Sequence, residues 1–550
     1  MPKNDLRIEI LGTSISISAD EEQDYLDRLL DTYTKAIEAT GKSTGLKDPL
    51  KIAILTGFLL CDEAEKARHI SSFEIESHEI ETLALNLISR LDHALGEEGQ
   101  TAVNKPIEVP STDEAPAAAP PVNARPGILK LKNAVKYYEW GSPKWIPELL
   151  GQRNISRAPW AELWMGVHPE GPSCIADGDQ EAASPLLSQI ISGDPVNTLG
   201  EEGAKDFGAL PFLFKILAAG KPLSIQVHPN MDQAKDGFDR ENFEGIDLKA
   251  PNRNYKDPNH KPEIICALTP FTAMCGFRSS DEIKKLLDIF SRGAPQSLKT
   301  GLNSLIASLI AMDGENPLKS FLSSLFDMGP GTRQELSAYA KSQKLDQEYP
   351  EYADEWKFIS WFAELYPNDP AVIAPLYLNL IDLKPGEAVY LPAGVLHAYI
   401  YGLGVELMAN SDNVLRGGLT PKHIDIKELF RVLKFSPFKP VILKPAGTDA
   451  GNTPAFFRFP TPAREFALGC YKNSNSANSE ITYNEKGPSI IIVTDGELHI
   501  ADNVKRNTVI LNKGESAFIP ASSALRGLSF SGNYTAYAAG IGEKEEPGEG

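Results

Sequence analysis

The sequence predicts a mainly β protein with helical parts: two β-barrels in tandem, a helical insertion in the first, and a small ββαα module with a helical tail ahead of both. Three observations carry that reading. Apolar and polar residues alternate with period two in many stretches of residues 128–280 and again from 367 onward, as on strands with one buried face. A Gly-x5-Pro turn pattern occurs twice, from Gly386 to Pro392 and from Gly514 to Pro520. Between about 281 and 366 the period lengthens to that of a helix, with Ile283, Leu286, Leu287 and Phe290 on one stripe.

The N-terminal module occupies residues 1–97. Leu6, Ile8 and Ile10 alternate with charges, Gly12-Thr13 breaks the run, and Ile15 and Ile17 alternate with serines, the pattern of a β-hairpin. Ser18 and Glu21 stand at capping-box spacing before a helix striped by Leu26, Leu29, Leu30, Tyr33 and Ile37. Asp48-Pro49 opens a second helix carrying Ile52, Leu55, Leu59 and Leu60. From near Ser71, the narrow stripe Ile80, Leu83, Leu87, Leu91 and Leu95 predicts a helix that pairs with another, in a second copy of the chain or in its own domain. Residues 98–127 are rich in Pro and Ala with almost no large apolar side chains, and read as an extended tether.

Composition bounds the chemistry. The chain of 550 residues has room for roughly three or four domains of ~100–200 residues. A formal net charge of −20 argues against a nucleic-acid surface, and any phosphate site must be built from a few local cations. No signal peptide and no apolar run of membrane-spanning length is evident, so a cytoplasmic protein is expected. The five cysteines show no paired metal spacing and read as free thiols.

The first barrel is assigned to residues 128–280 and 367–445, with the helical insertion at 281–366 and the second barrel at 446–545. Its key stretch is Pro222-Leu-Ser-Ile-Gln-Val-His-Pro, where Ser224, Gln226 and His228 share one face and Leu223, Ile225 and Val227 the other. Lys215 stands alone in the apolar run 210–217 and needs a partner or a function. Glu263 follows His260 and Lys261 into a strand, either as a solvated loop charge or as a third ligand. The tryptophans Trp140, Trp160 and Trp164, with His168, read as core or as the lining of a sugar pocket. The first turn pattern continues to a histidine, Gly386-x5-Pro392-x4-His397, whereas the second ends in Leu525. In cupins, double-stranded β-helix jelly rolls, this pattern aims its histidine into the barrel. The second barrel is therefore expected to bind no metal. Gln226, His228, Glu263 and His397 form a nitrogen and oxygen ligand set suited to zinc or another divalent first-row metal.

Two resemblances add to this reading. Residues of about 128–545 resemble type I phosphomannose isomerases (mannose-6-phosphate isomerases), members of the cupin superfamily. The motifs are Tyr138-Glu-Trp-Gly, Ala161-Glu-Leu-Trp-Met-Gly, Lys221-Pro-Leu-Ser-Ile-Gln-Val-His-Pro, His260-Lys-Pro-Glu, Tyr390-Leu-Pro-Ala-Gly-Val-Leu-His-Ala-Tyr, Glu406-Leu-Met-Ala-Asn-Ser-Asp-Asn-Val-Leu-Arg and Gly418-Leu-Thr-Pro-Lys. Asn410 and Gly417 depart from the family pattern beside the motif residues. The resemblance implies one zinc ion per chain on Gln226, His228, Glu263 and His397, and Arg416 as a catalytic residue. It puts Lys215, Lys261, Tyr399, Glu406, Asp412 and Lys422 around the substrate.

The implied reaction interconverts mannose 6-phosphate and fructose 6-phosphate through an enediol. Lys261 and Glu406 are the candidate bases, and His260 is a candidate for ring opening. Lys422 and Ser224 are candidates for the phosphate, and Trp140 for the sugar. Residues of about 6–97 resemble the ZapA-like cell-division proteins, through the Ile8-Glu-Ile-Leu-Gly start, the 25–30 helix and Gly45-Leu-Lys-Asp-Pro-Leu-Lys-Ile-Ala-Ile-Leu. That resemblance implies self-association first and the tubulin-like protein FtsZ as a partner second. The rival readings are another metal-dependent cupin enzyme and an inactive isomerase-like scaffold linked to cell division.

Overall fold

The computed structural model describes residues 4–10, 13–19, isolated positions between 34 and 56, 127–176, 184–310, 315–444 and, with short interruptions, 455–543. The chain separates into two units, Met1–Glu114 and Ala115–Gly550. In the first, strands Asn4–Ile10 and Thr13–Ala19 pair antiparallel with Ile10 opposite Thr13, the expected hairpin. Residues 34–37 are helical, and Ile37 and Ile52 are buried. The predicted tail helix and the tether up to residue 126 lie outside the described residues.

The second unit contains two large antiparallel sheets and a helical layer. The strand His397–Ala409 organises the first. Its N-terminal half pairs with Phe271–Phe277 and Ile225–Val227, and its C-terminal half with Phe212–Ala219 and Glu263–Ala267. Between the halves, Gly402 takes a φ of 134° where a Cβ would lie 2.8 Å from the Phe271 backbone. Only glycine turns this corner without a clash. One strand thus serves both walls of the barrel.

Every side chain of Phe212–Ala219 is buried, because the strand has two covered faces. Phe214, Ile216 and Ala218 face outward with Ile264, Val405 and Leu407, against Ile490, Ile492 and Phe518 of the second sheet and Phe466 just before one of its strands. Leu217 and Ala219 face the barrel interior with Ile265, Phe271, Leu391 and Tyr399. The strand Leu129–Lys132 departs from the sequence partition: it pairs with Ser516–Ile519 and with Cys174–Ile175, so it belongs to the second sheet.

The helical layer runs from Ser280–Arg292 to Ala374–Tyr377. Ser279 and Glu282 form a capping box at its entry, and Ile283, Leu286, Leu287 and Phe290 are all buried. Ile225 and Val227 of the short strand pack into this same core. The run Lys136-Tyr-Tyr-Glu-Trp-Gly reads as strand in the sequence, but the strand stops at Lys136. Residues 137–140 turn, and Gly141 approaches so close to Ala161 that a Cβ would lie 2.6 Å from its nitrogen. In the second barrel, Pro520 is followed by a helical turn, Ala521–Ala524, and Leu525 is 68% exposed. Its side chain lies outside the barrel, unlike His397.

The face between the sheets is continuous apolar core, so truncating it is costly. Phe466→Ala, at a fully buried position, is expected to destabilise the protein by about 3–5 kcal/mol. Thermal denaturation would register this as a lowered Tm with the metal content unchanged.

Candidate metal centre

Glu263 opens its strand with 1% of its surface exposed. A carboxylate at that depth needs compensating groups; two donors, Lys261 and Tyr399, reach it, and two imidazoles converge on it as well. His228 Nε2 lies 3.2 Å from Oε1 and His397 Nε2 lies 3.4 Å from Oε2. Lys261 Nζ is 3.3 Å from Oε1, and the Tyr399 hydroxyl donates to Oε2 at 3.3 Å. Burial raises the Glu263 carboxyl, but His228 and Lys261 outweigh it and hold the group well below the usual carboxylate range.

Both imidazoles are oriented by backbone. His228 Nδ1 donates to the Asn413 carbonyl at 2.7 Å, and His397 Nδ1 to the Val395 carbonyl at 3.0 Å. A carbonyl only accepts, so the proton sits on Nδ1 and each Nε2 presents a lone pair. Both Nε2 atoms are buried and make no hydrogen bond. His228, Glu263 and His397 offer ligand atoms all within 4.8 Å of one another. Ligands bound about 2 Å from one zinc ion sit roughly 3–3.5 Å apart, so the donor set fits the metal.

Gln226 lies beside this cluster. It is directly opposite His397 on one side and Arg416 on the other, and opposed residues of antiparallel strands share a face. Pro222 and Pro229 confine this strand to Ile225–Val227. Ser224 precedes it, half-buried.

A second chain of charge runs along the interior. Lys215 Nζ lies 3.4 Å from Glu162 Oε1 and 2.9 Å from Glu406 Oε2, which answers the sequence question about a lone buried lysine. Burial acts to lower Lys215, but the carboxylates Glu162, Glu406 and Glu263 hold it well above its ordinary value. Glu406 is pushed up by burial and by Glu263 and Glu162, against the pull of Lys215. Burial, Glu263 and Glu406 hold the Tyr399 phenol well above its usual range. Trp164 donates to Glu162 at 2.8 Å and lies beside His168, which faces Asp412 at 3.2 Å. Trp160, by contrast, packs in the core between the sheets. Trp140 is half-buried and stacks on Tyr138.

The predicted site residues are not all in one cluster. His260 pairs with Glu465 of the second barrel at 2.7 Å and is not among the groups touching Glu263. Arg416 is partly buried and its guanidinium is lowered by burial, while Lys422 is exposed and lowered by burial, Arg416 and Lys256. Sequence reasoning missed the partners: Glu162 as the mate of Lys215, and Asn413. The Asn413 side chain accepts from the Lys256 backbone at 2.7 Å while its carbonyl orients His228. The motifs contained both residues, but nothing in the sequence marked the pairing.

Known proteins resemble the chain in two separate parts. The family model described as phosphomannose isomerase type I, catalytic domain, matches residues 128–280, and that of cell division protein ZapA matches residues 6–95. The chain is 40% identical to the mannose-6-phosphate isomerase of Salmonella typhimurium over 400 residues, covering 72% of this chain and 96% of that protein. It is 33% identical to mannose-6-phosphate isomerase 2 of Arabidopsis thaliana, covering 76% and 94%. A zinc-bound crystal structure of mannose 6-phosphate isomerase superposes with a TM-score of 0.66 at 36% identity, covering 76% of this chain and all of that one. No helix among the described residues is long and apolar enough to cross a membrane.

Proton linkage at His228 is testable without metal. Burial lowers His228 to about 4 from 6.5, so on acidification the unfolded chain takes up the proton first. The associated stability is full above pH ~6.5 and is lost as pH falls toward ~4, amounting to about 3 kcal/mol. Chelated protein should lose Tm across this interval, and His228→Gln should flatten that decline.

Proposed function

The chain belongs to the mannose-6-phosphate isomerase family, and from that premise we propose that it interconverts mannose 6-phosphate and fructose 6-phosphate at one zinc ion held by Gln226, His228, Glu263 and His397. The observation that carries this is the pair of buried, unpartnered Nε2 atoms on the two sides of the Glu263 carboxylate. Zinc, when bound, would polarise or orient the sugar oxygens so that the proton at C2 becomes acidic.

The chain's own groups supply the rest. The reaction moves one proton between C2 and C1 with no net redox change. Glu406 is the favoured shuttle, because burial, Glu263 and Glu162 raise its carboxyl above its ordinary value against the pull of Lys215. Lys261, fixed against Glu263, and Arg416, which keeps its charge, stabilise the negative oxygen of the enediolate. Lys215 holds Glu406 in place. Ring opening falls to His260, whose imidazole Glu465 orients. Trp140 offers a face for the sugar, Asp412 a hydrogen-bond acceptor, and Lys422 with Ser224 a site for the phosphate.

The ZapA-like module is proposed to join copies of the chain into an oligomer, with FtsZ as its further partner, in the cytoplasm. The domain partition 1–97, 98–127, 128–280 with 367–445, 281–366 and 446–545 belongs to the same proposal, with Leu129–Lys132 contributed to the second barrel.

A coupled assay with mannose 6-phosphate tests the enzyme reading. Activity should vanish on chelation and return with zinc; a folded, zinc-loaded protein without activity would favour the inactive-scaffold alternative. Glu406→Gln should lower kcat by about 10²–10⁴ and abolish deuterium wash-in at C2 in D2O, with zinc retained. Removing residues 1–125 should reduce the number of chains per particle in light scattering; an unchanged mass would refute oligomerisation through this module.

A further inference from the structure

The turn between the two substrate cations is held by a residue from outside the barrel. Arg416 pairs opposite Gln226, a bulge follows at Gly417, and Gly418, opposite Ile225, takes a φ of 137°. Leu419 comes next with a φ of 52°, although it is 1% exposed and carries a side chain. This left-handed conformation is unfavourable for a residue with a Cβ, so something nearby must impose it. Its backbone N–H donates to Asp369 Oδ2 at 2.7 Å, and the Thr420 N–H also bonds to Asp369. The Thr420 hydroxyl in turn accepts from the Lys422 N–H at 3.1 Å.

Asp369 comes from the end of the helical layer. Its other oxygen, Oδ1, accepts from Ala371 N at 2.8 Å and caps the short helix Pro370–Ile373. Capping needs one oxygen, and the second is spent on the turn. The residue before it, Asn368, is also left-handed, at φ 68°, with its N–H bound to Ser337 at 2.8 Å. Two of the three left-handed non-glycine residues among those described therefore flank one carboxylate. The contact is tight: a Cβ on Gly418 would lie 2.2 Å from that of Ala371. Strain collected beside a site points to a functional constraint.

We infer that Asp369 is a positioning residue, through which the helical layer sets the Leu419 turn and so the spacing of Arg416 and Lys422 for a sugar phosphate. The inference rests on the isomerase reading above. Asp369→Asn loses the charge and one acceptor. It should raise KM for mannose 6-phosphate by about tenfold or more while kcat stays within about threefold, since the turn anchors the substrate rather than the reacting carbons. Preference for mannose 6-phosphate over mannose should shrink with it.

Adding Leu419→Gly, which accepts the same backbone without strain, should return KM to within about threefold of the wild type. Metal analysis and thermal denaturation on each variant separate this from unfolding. An unchanged KM in Asp369→Asn, a defect confined to kcat, or a KM that glycine does not restore would overturn the inference. If Asp369→Asn does not fold, the double variant is read alone; a near-normal KM supports the assignment, and a double variant that also fails to fold overturns it. Inactive wild-type protein would instead count against the isomerase reading itself.

Discussion

The burial of the Glu263 carboxylate governs the design of the first barrel. A charge with almost no access to water is tolerable only if its surroundings supply what water would have supplied. An ammonium and a phenol do so here, and two imidazoles turn lone pairs toward the same carboxylate, so that a cation completes the balance; the four groups come from three stretches of chain. Each stretch must then be held in register. The walls of the barrel do this for His397 and Tyr399, and the backbone carbonyls of Val395 and Asn413 do it for the imidazoles. The same electrostatic demand recurs nearby, where Lys215 between Glu162 and Glu406 makes two further buried carboxylates tolerable.

This demand explains why the barrel needs its neighbours. A strand such as Phe212–Ala219, which turns Lys215 inward, has only apolar residues for its outer face. That face is covered by the second sheet. The helical layer similarly covers Ile225 and Val227, the outward side chains of the strand whose inward one is Gln226. Neither neighbour supplies a ligand, yet each closes one side of a site whose inner face is polar. The alternation that makes a metal site on one face of a strand makes an adhesive surface on the other.

Much of this was legible in the sequence, and the limits have physical causes. Gln226 and His228 could be placed on one face because a strand has a period of two. Ile283, Leu286, Leu287 and Phe290 could be placed in a core because a helix has a period of 3.6. Residues 137–140 turn although Tyr137 and Tyr138 have high strand propensity. The tertiary approach of Gly141 to Ala161 overrides that propensity. The allegiance of Leu129–Lys132 to the second sheet was invisible, because pairing across nearly 390 residues leaves no local trace. Partners such as Glu162 and Asp369 escaped for the same reason: a carboxylate in a sequence looks alike whether it meets water or a buried lysine.

The two barrels share a turn pattern, and their difference is more than one missing histidine. After Pro392 the chain turns at Ala393-Gly394 and then enters the strand at His397, so the imidazole points inward. After Pro520 it winds into Ala521–Ala524, and Leu525 points to solvent. A histidine at 525 would have no route to the interior. That interior is in any case filled by Tyr471, Tyr483 and Phe530, whose ring centroids lie 5.0–5.8 Å apart. Aromatic packing of this kind leaves no need for compensating charge. The second barrel solved the burial problem with apolar volume and the first with a network of charges, and only the network leaves lone pairs facing one point.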